Sequence, residues 1–318
     1  MSRDSIVIVG TGLMGSGIAA VSALAGERTI LVGRKMMTSQ AGLMKALSNI
    51  TELKDNGLAE PDAADKAQLL LSVCNNLDEA LPQASIVIEA ILENLEVKQS
   101  MFQRLDGALP PDIPILSNTS GLRISEIAKN TKYPQRTMTT HFWFPGHLVP
   151  LVEVVMGEYT DEAMAVAVKD RLKRWGKAPV LVKRDLPGQL ANRILQAIIR
   201  EAVSIIESGL ATAEDVDTAV KMGMGIRLPA WGILEHVDGV GLDLCRSVQN
   251  TVLPDISTAQ EANPLFTKMI DNGNLGYKSG KGFYDWSVKS MEKLALKRNH
   301  FIIQALKILK ESDQGDTK

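Results

Sequence analysis

A chain of 318 residues is too long for one small core and sufficient for two domains. Its 35 basic and 37 acidic residues nearly cancel, which gives no electrostatic footprint for a nucleic-acid partner. No apolar run approaches the roughly 20 residues a bilayer crossing needs, and Cys74 and Cys245 read as two free thiols in a reducing compartment, so a soluble, cytoplasmic protein with no membrane partner is expected.

The first predicted strand, Ser5–Val9, runs directly into Gly10-Thr11-Gly12-Leu13-Met14-Gly15, and a helix with Ile18, Val21 and Leu24 on its inner face follows. This is the strand–loop–helix context in which a G-x-G-x-x-G run binds a dinucleotide. The first glycine allows the tight turn, the second lets the pyrophosphate approach the backbone, and the third lets helix and strand pack closely. The helix N-terminus offers N–H groups and partial positive charge to the phosphates. A second predicted strand, Thr29–Val32, ends in Gly33-Arg34-Lys35. Dinucleotide folds of this type usually place an acidic residue there to receive the ribose hydroxyls. A glycine beside two cations does not repel a 2′-phosphate, and Arg34 could pair with one, so the cofactor is expected to be NAD or NADP.

Residues Ser39–Leu71 are too long for one crossover helix and predict a helical pair inserted between strands. Further strands are predicted at Ile86–Ala90, Ile113–Leu116, Thr137–His141, Leu151–Val155 and Pro179–Lys183. Strands alternating with helices imply parallel pairing through right-handed crossovers. At Asp185-Leu186-Pro187-Gly188 the pattern changes, and a long helix, Gln189–Ser208, opens a region without strand alternation that ends in a helix over Met291–Leu309. The expected fold class is therefore α/β. An N-terminal Rossmann-type, mostly parallel sheet with a helical insertion fills 1–185, and an all-α C-terminal domain fills 186–318. The apolar helix faces of the second domain exceed what a small helical layer buries, which predicts a homodimer.

Three features in the middle of the chain look chemical. Ser117-Asn118-Thr119-Ser120 follows a strand, where a doubly wound sheet places ligand contacts. His141 ends its own strand, and Glu153 sits among apolar residues in Leu151-Val152-Glu153-Val154-Val155. Hydride transfer from an alcohol needs a base near neutrality, which suits histidine. A carboxylate on the far ring nitrogen fixes the tautomer and stabilises the imidazolium. The four histidines and two cysteines show no metal-ligand spacing, so no metal is expected. Trp143, Trp231 and Trp286 are assigned to packing, and His147, near the site, reads either as a substrate contact or as an ordinary loop histidine.

The segments GTGLMGSGIA, IVIEAILENLEVKQSMF, SNTSGLRISEIA, HFWFPGHLVPLVEVV, ANRILQAIIREAVSIIESGLATAEDVD and LGYKSGKGFYDW, in this order, resemble the 3-hydroxyacyl-CoA dehydrogenase family along almost the whole chain. The resemblance implies oxidation of a 3-hydroxyacyl-CoA to the 3-oxo form, as in fatty acid metabolism. It implies His141 as acid–base, oriented by Glu153. Ser120 would hydrogen-bond the substrate oxygen near the nicotinamide, and Asn192 would hold the substrate carbonyl. Glu93 and Lys98 would contact the ribose side, with Lys278 closing over the cofactor. Two positions depart from the family pattern: Phe144 stands where His-Phe-Phe-Asn-Pro has its asparagine, and Gly33 stands where an acid is usual. Relatives also oxidise small free hydroxy acids or polar alcohols, which stays open as an alternative substrate class. A dinucleotide-binding protein without turnover is a further alternative. The β-hydroxyacid dehydrogenases, which use a catalytic lysine, fit less well with Ser120, His141 and Glu153.

Overall fold

The computed structural model describes residues 3–315. The chain forms two compact units, one comprising the residues up to Arg193 together with those from Ile302 onward, the other Ile194–Phe301. The units divide a little beyond the expected junction at 185/186, because the lead-in to the long helix stays bound to the first unit and the end of the chain returns to it.

The first unit is built on eight strands, β1 (Ser5–Val9), β2 (Arg28–Val32), β3 (Leu71–Cys74), β4 (Ala84–Glu89), β5 (Ile115–Ser117), β6 (Thr137–Phe142), β7 (Leu151–Met156) and β8 (Ala178–Val182). They lie in one sheet in the order β3-β2-β1-β4-β5-β6-β7-β8. All neighbours are parallel except β6 and β7, which run antiparallel because their connection is too short for a crossover. The reversal of strand order between β1 and β4 makes the switch point at which open α/β sheets bind ligands.

Helices α1 (Leu13–Leu24), α2 (Met36–Asp55), α3 (Pro61–Leu70), α4 (Leu77–Ala80), α5 (Leu95–Ala108), α6 (Ile124–Ile127) and α7 (Glu162–Arg174) connect the strands. The expected helical pair is thus α2 and α3. Strand β1 explains the layering: Ile6 and Ile8 join Ile18, Ile50 and Val168 in one core, while Val7 and Val9 join Phe102, Leu105 and Ile124 in the other. Burial on both faces accounts for its unbroken apolar run. A third, smaller cluster packs Ile303, from the end of the chain, against Leu53 and Leu148.

The second unit is helical. It contains most of α8 (Ala191–Glu207), then α9 (Ala213–Thr218), α10 (Ile233–Val240), α11 (Leu242–Val252), α12 (Pro264–Asp271) and the start of α13 (Met291–Gly315). Among its described residues Val203 is the one apolar side chain that is buried, whereas Leu210, Leu234, Leu242 and others are largely exposed. Lys278 lies on the exposed turn Tyr277–Ser279 of this unit. Among the described residues no helix is long and apolar enough to cross a membrane.

Candidate active site

The glycine loop has the geometry its spacing predicts. Gly10 has φ +123°, and a Cβ there would lie 2.4 Å from the Ala90 carbonyl oxygen; a Cβ on Gly15 would lie 1.9 Å from the Gly10 oxygen. Any larger residue at either place would push the loop off β4 or off α1. Gly12 differs, since a Cβ there would meet nothing within 4 Å. The space in front of Gly12 is open for a phosphate group. Gly12 is also the N-cap of α1, whose first turn has no side-chain cap and no acidic residue. These residues fit a dinucleotide, with Thr11, Leu13 and Met14 completing the loop.

At the end of β2, the Gly33 N–H donates to Ser39 Oγ at 3.0 Å and to the Cys74 carbonyl at 3.1 Å. A Cβ on Gly33 would lie 2.6 Å from Ser39 Oγ and 2.9 Å from Thr38 Oγ1. Two hydroxyls from α2 therefore occupy the room that an acidic side chain would need. Arg34 and Lys35 are exposed beside them.

The ends of β4 and β5 hold a buried polar cluster. Glu89 closes β4 and is fully buried; its Oε1 accepts from Lys98 Nζ at 2.6 Å and from the Ile91 N–H at 2.7 Å, and its Oε2 accepts from Ser117 Oγ at 2.7 Å. Lys98 is buried as well and reaches Glu93 at 3.4 Å. Glu93, half-exposed, accepts from the Thr119 hydroxyl at 2.5 Å and from the N–H groups of Ser120 at 3.0 Å and Gly121 at 3.3 Å. Burial alone would raise the Glu93 pKa; the Thr119 hydroxyl, the Lys98 ammonium and the Ser120 N–H outweigh it and hold the carboxyl below its ordinary range. Of the two residues expected on the ribose side, Glu93 keeps an exposed face and fixes the loop of Ser120, while Lys98 stands behind it.

His141 and Glu153 are directly opposite each other in the β6–β7 ladder. Facing residues of an antiparallel pair share one side of the sheet, so register alone brings imidazole and carboxylate together. His141 Nδ1 donates to Glu153 Oε2 at 2.7 Å, which leaves the lone pair on Nε2. The other carboxylate oxygen, Oε1, accepts from the Leu190 N–H at 2.9 Å and the Ala191 N–H at 2.8 Å. Burial works against ionisation of Glu153, but the His141 bond, the Ala191 N–H, the Trp143 indole and the Leu190 N–H together lower its pKa to about 2. Asn192, half-buried in the first turn of α8, directly follows Ala191, whose N–H Glu153 holds.

Several contributors escape a reading of the sequence. Trp143, assigned there to packing, donates its indole N–H to Glu153 Oε2 at 3.0 Å and stands 5.4 Å from the His141 ring, centroid to centroid. Asn118 Oδ1 accepts from the Phe142 N–H at 2.9 Å and ties the serine loop to the histidine strand. Gln189 has φ +54°, the one positive value outside glycine among the described residues, and donates from Nε2 to the Thr119 carbonyl at 3.0 Å. Strained backbone of this kind persists where surrounding contacts hold it, and it often marks a functional site. His147 pairs with Glu52 at 2.8 Å, and burial lowers its pKa. Lys177, also lowered by burial, to about 7, donates to the carbonyls of Gly146 and Val149 and secures the loop after Phe144.

A histidine with one ring nitrogen committed to a carboxylate, in the same sheet as a glycine loop of dinucleotide type, is equipment that suits a dehydrogenase, an enzyme that removes hydride and proton from one substrate. Comparison with known proteins makes the class specific. Residues 5–186 match the model of the 3-hydroxyacyl-CoA dehydrogenase NAD binding domain, and residues 188–286 match that of the 3-hydroxyacyl-CoA dehydrogenase C-terminal domain. The chain belongs to the 3-hydroxyacyl-CoA dehydrogenase family and carries its NAD-binding domain. It is 30% identical over 309 residues to 5-formyl-3-hydroxy-2-methylpyridine 4-carboxylate 5-dehydrogenase of Mesorhizobium japonicum, covering 96% of this chain and 98% of that one. It is 34% identical over 284 residues to 3-hydroxybutyryl-CoA dehydrogenase of Clostridioides difficile, covering 89% and 99%. Among solved structures, a 5-formyl-3-hydroxy-2-methylpyridine 4-carboxylic acid 5-dehydrogenase, an NAD+-dependent dismutase, superposes with a TM-score of 0.89 at 30% identity over 98% of this chain and 99% of the other. An (S)-3-hydroxybutyryl-CoA dehydrogenase from Ralstonia eutropha gives 0.72 at 30% identity, over 90% and 99%.

Proposed function

We propose that this oxidoreductase transfers hydride between a nicotinamide dinucleotide and the hydroxyl-bearing carbon of a small free hydroxy acid or polar alcohol. The observation that carries the chemistry is the His141–Glu153 pair, with Nδ1 committed to the carboxylate at 2.7 Å. In oxidation His141 Nε2 would take the hydroxyl proton as the carbon–oxygen double bond forms and the hydride leaves the same carbon. Glu153 stabilises the imidazolium. Ser120 hydrogen-bonds the reacting oxygen, and Asn192 holds the substrate carbonyl. A bound dinucleotide would supply the hydride acceptor; the loop from Gly10 to Gly15 and Glu93 would hold it, with Lys98 behind Glu93.

Two observations favour a small substrate. The similarity to the pyridine-carboxylate dehydrogenase runs end to end, whereas the acyl-CoA enzyme from Ralstonia superposes less closely. Phe144 has 49% of its surface exposed and puts an aromatic face where the resemblance expects an amide. A second reading, a 3-hydroxyacyl-CoA substrate, is favoured by the C. difficile relative and uses the same residues. For the cofactor, the filled space at Gly33 and the cations Arg34 and Lys35 favour acceptance of NADP alongside NAD.

One panel tests these readings: acetoacetyl-CoA against free hydroxy acids, aromatic ones included, each with NAD and NADP in the matching redox state. The expected result is a higher kcat/KM for a free acid than for the CoA ester, with NADP within about tenfold of NAD, a difference of some 1.4 kcal/mol. A preference for acetoacetyl-CoA establishes the second reading, and a preference for NAD beyond about 100-fold removes the NADP reading. Cofactor binding without turnover of any compound makes the protein a non-catalytic dinucleotide binder.

The exposed apolar side chains of the second unit favour a homodimer, since a helical unit that buries only Val203 has no adequate core of its own. Light scattering at micromolar concentration should give twice the chain mass of 34.5 kDa. A monomeric mass there removes the reading.

A further inference from the structure

Glu153 is bound by more donors than the orientation of one histidine requires. Its Oε1 is taken by two backbone N–H groups, Leu190 and Ala191, which fix the plane of the carboxylate. His141 cannot obtain an oxygen of its own by rotation of that plane, because the donors on Oε1 belong to the main chain. Oε2 is therefore shared, between His141 Nδ1 at 2.7 Å and Trp143 Nε1 at 3.0 Å. His141 lies near the end of β6 and Trp143 just past it, two residues on, the spacing that puts side chains of extended backbone on one face. We propose that Trp143 is a positioning residue that sets the basicity of His141 by competing for Glu153 Oε2.

The physical argument concerns charge. A carboxylate oxygen that accepts from a second N–H has part of its negative charge neutralised, so it stabilises an imidazolium less than an oxygen serving that ring alone. Trp143 thus favours the neutral, proton-accepting form of His141 and extends it to lower pH. A phenylalanine would fill much of the same space and leave Oε2 wholly to the histidine. Other charged groups at this end of the sheet have their own partners and do not change when Trp143 does. Glu89 and Glu93 are held by Lys98, Glu52 by His147, and Asp185 by Arg123 and the Ser125 N–H. Lys177 is committed to the two loop carbonyls.

The inference deepens the proposed function, but its first test does not depend on it. The His141 imidazole is titrated by NMR in the wild type and in Trp143→Phe, with its signal assigned by its loss in His141→Gln. The midpoint should rise by about 0.5–1 pH unit in Trp143→Phe, since the hydrogen bond removed is to a charged oxygen. In kinetics, the acidic limb of kcat/KM for alcohol oxidation should move to higher pH by the same amount, because more of the histidine is protonated at a given pH. Packing alone would alter amplitude and leave the midpoint in place. If Trp143→Phe does not fold, benzothienylalanine at position 143 keeps the bicyclic shape and replaces only the N–H by sulfur. An unchanged or lowered midpoint in the folded variant overturns the proposal. A raised midpoint with no alcohol oxidised by the wild type upholds it and removes the proposed reaction instead.

Discussion

Glutamine in place of His141 is expected to lower turnover by about 10²–10⁴-fold, the range general acid–base catalysis contributes, while the dissociation constant for the dinucleotide stays within about twofold. Glutamine is near the size of histidine and its amide can still donate to Glu153, so the buried carboxylate keeps a partner and the fold should hold. The amide cannot accept a proton at neutral pH. The loss should therefore fall on kcat and kcat/KM together, with little change in binding, because proton transfer matters only once the bond to hydrogen is breaking. Steady-state kinetics on the best substrate of the panel, with fluorescence titration of the reduced dinucleotide, separates the two quantities. A variant retaining more than about a tenth of wild-type turnover would assign the proton transfer to another group.

The pairing of His141 with Glu153 is legible in the sequence. His141 stands out because a strand of apolar and hydroxyl residues ends on it. Glu153 stands out because a carboxylate inside Leu151–Val155 cannot be buried without a partner. Their pairing needs only an antiparallel turn of the chain between adjacent strands. The loop from Gly10 to Gly15 is equally direct, since Gly10 and Gly15 have no room for a side chain and Gly12 faces open space. Strand β3 leaves no clear signal in the sequence for a physical reason: it is four residues at the sheet edge, half of them only partly buried, directly after α3 with no turn residue between. A short edge strand carries little of the two-faced burial that marks β1 and β4. Trp143 and Gln189 were missed differently. Their roles depend on where one indole N–H and one amide point, and a half-buried tryptophan after a strand looks the same in sequence whether or not its nitrogen finds a carboxylate. Glu89 reads as the last polar residue of a strand; only the return of α5 brings Lys98 to it.

The Glu89–Lys98 pair is where the second large effect is expected. Lys98→Met removes the ammonium from a carboxylate that is fully buried and leaves it with Ser117 Oγ and the Ile91 N–H. An uncompensated buried charge of this kind costs about 3–5 kcal/mol. Urea unfolding followed by tryptophan fluorescence should show a midpoint lowered accordingly. The damage should also reach the cofactor site, because the Ile91 N–H that Glu89 holds follows Ala90, and the Ala90 carbonyl sits against Gly10. If Glu89 shifts or takes up a proton, that contact loosens and the dinucleotide binds more weakly. The double variant Glu89→Gln/Lys98→Met separates charge from packing. It removes both charges while the amide keeps an oxygen for the Ile91 N–H, and buried pairs replaced together by neutral groups of similar volume are often tolerated. Stability and dinucleotide affinity should both recover in the double variant relative to Lys98→Met. A single variant within about 1 kcal/mol of the wild type would mean that the buried carboxylate finds another way to be neutralised, and that β4 does not need Lys98 to hold the glycine loop in place.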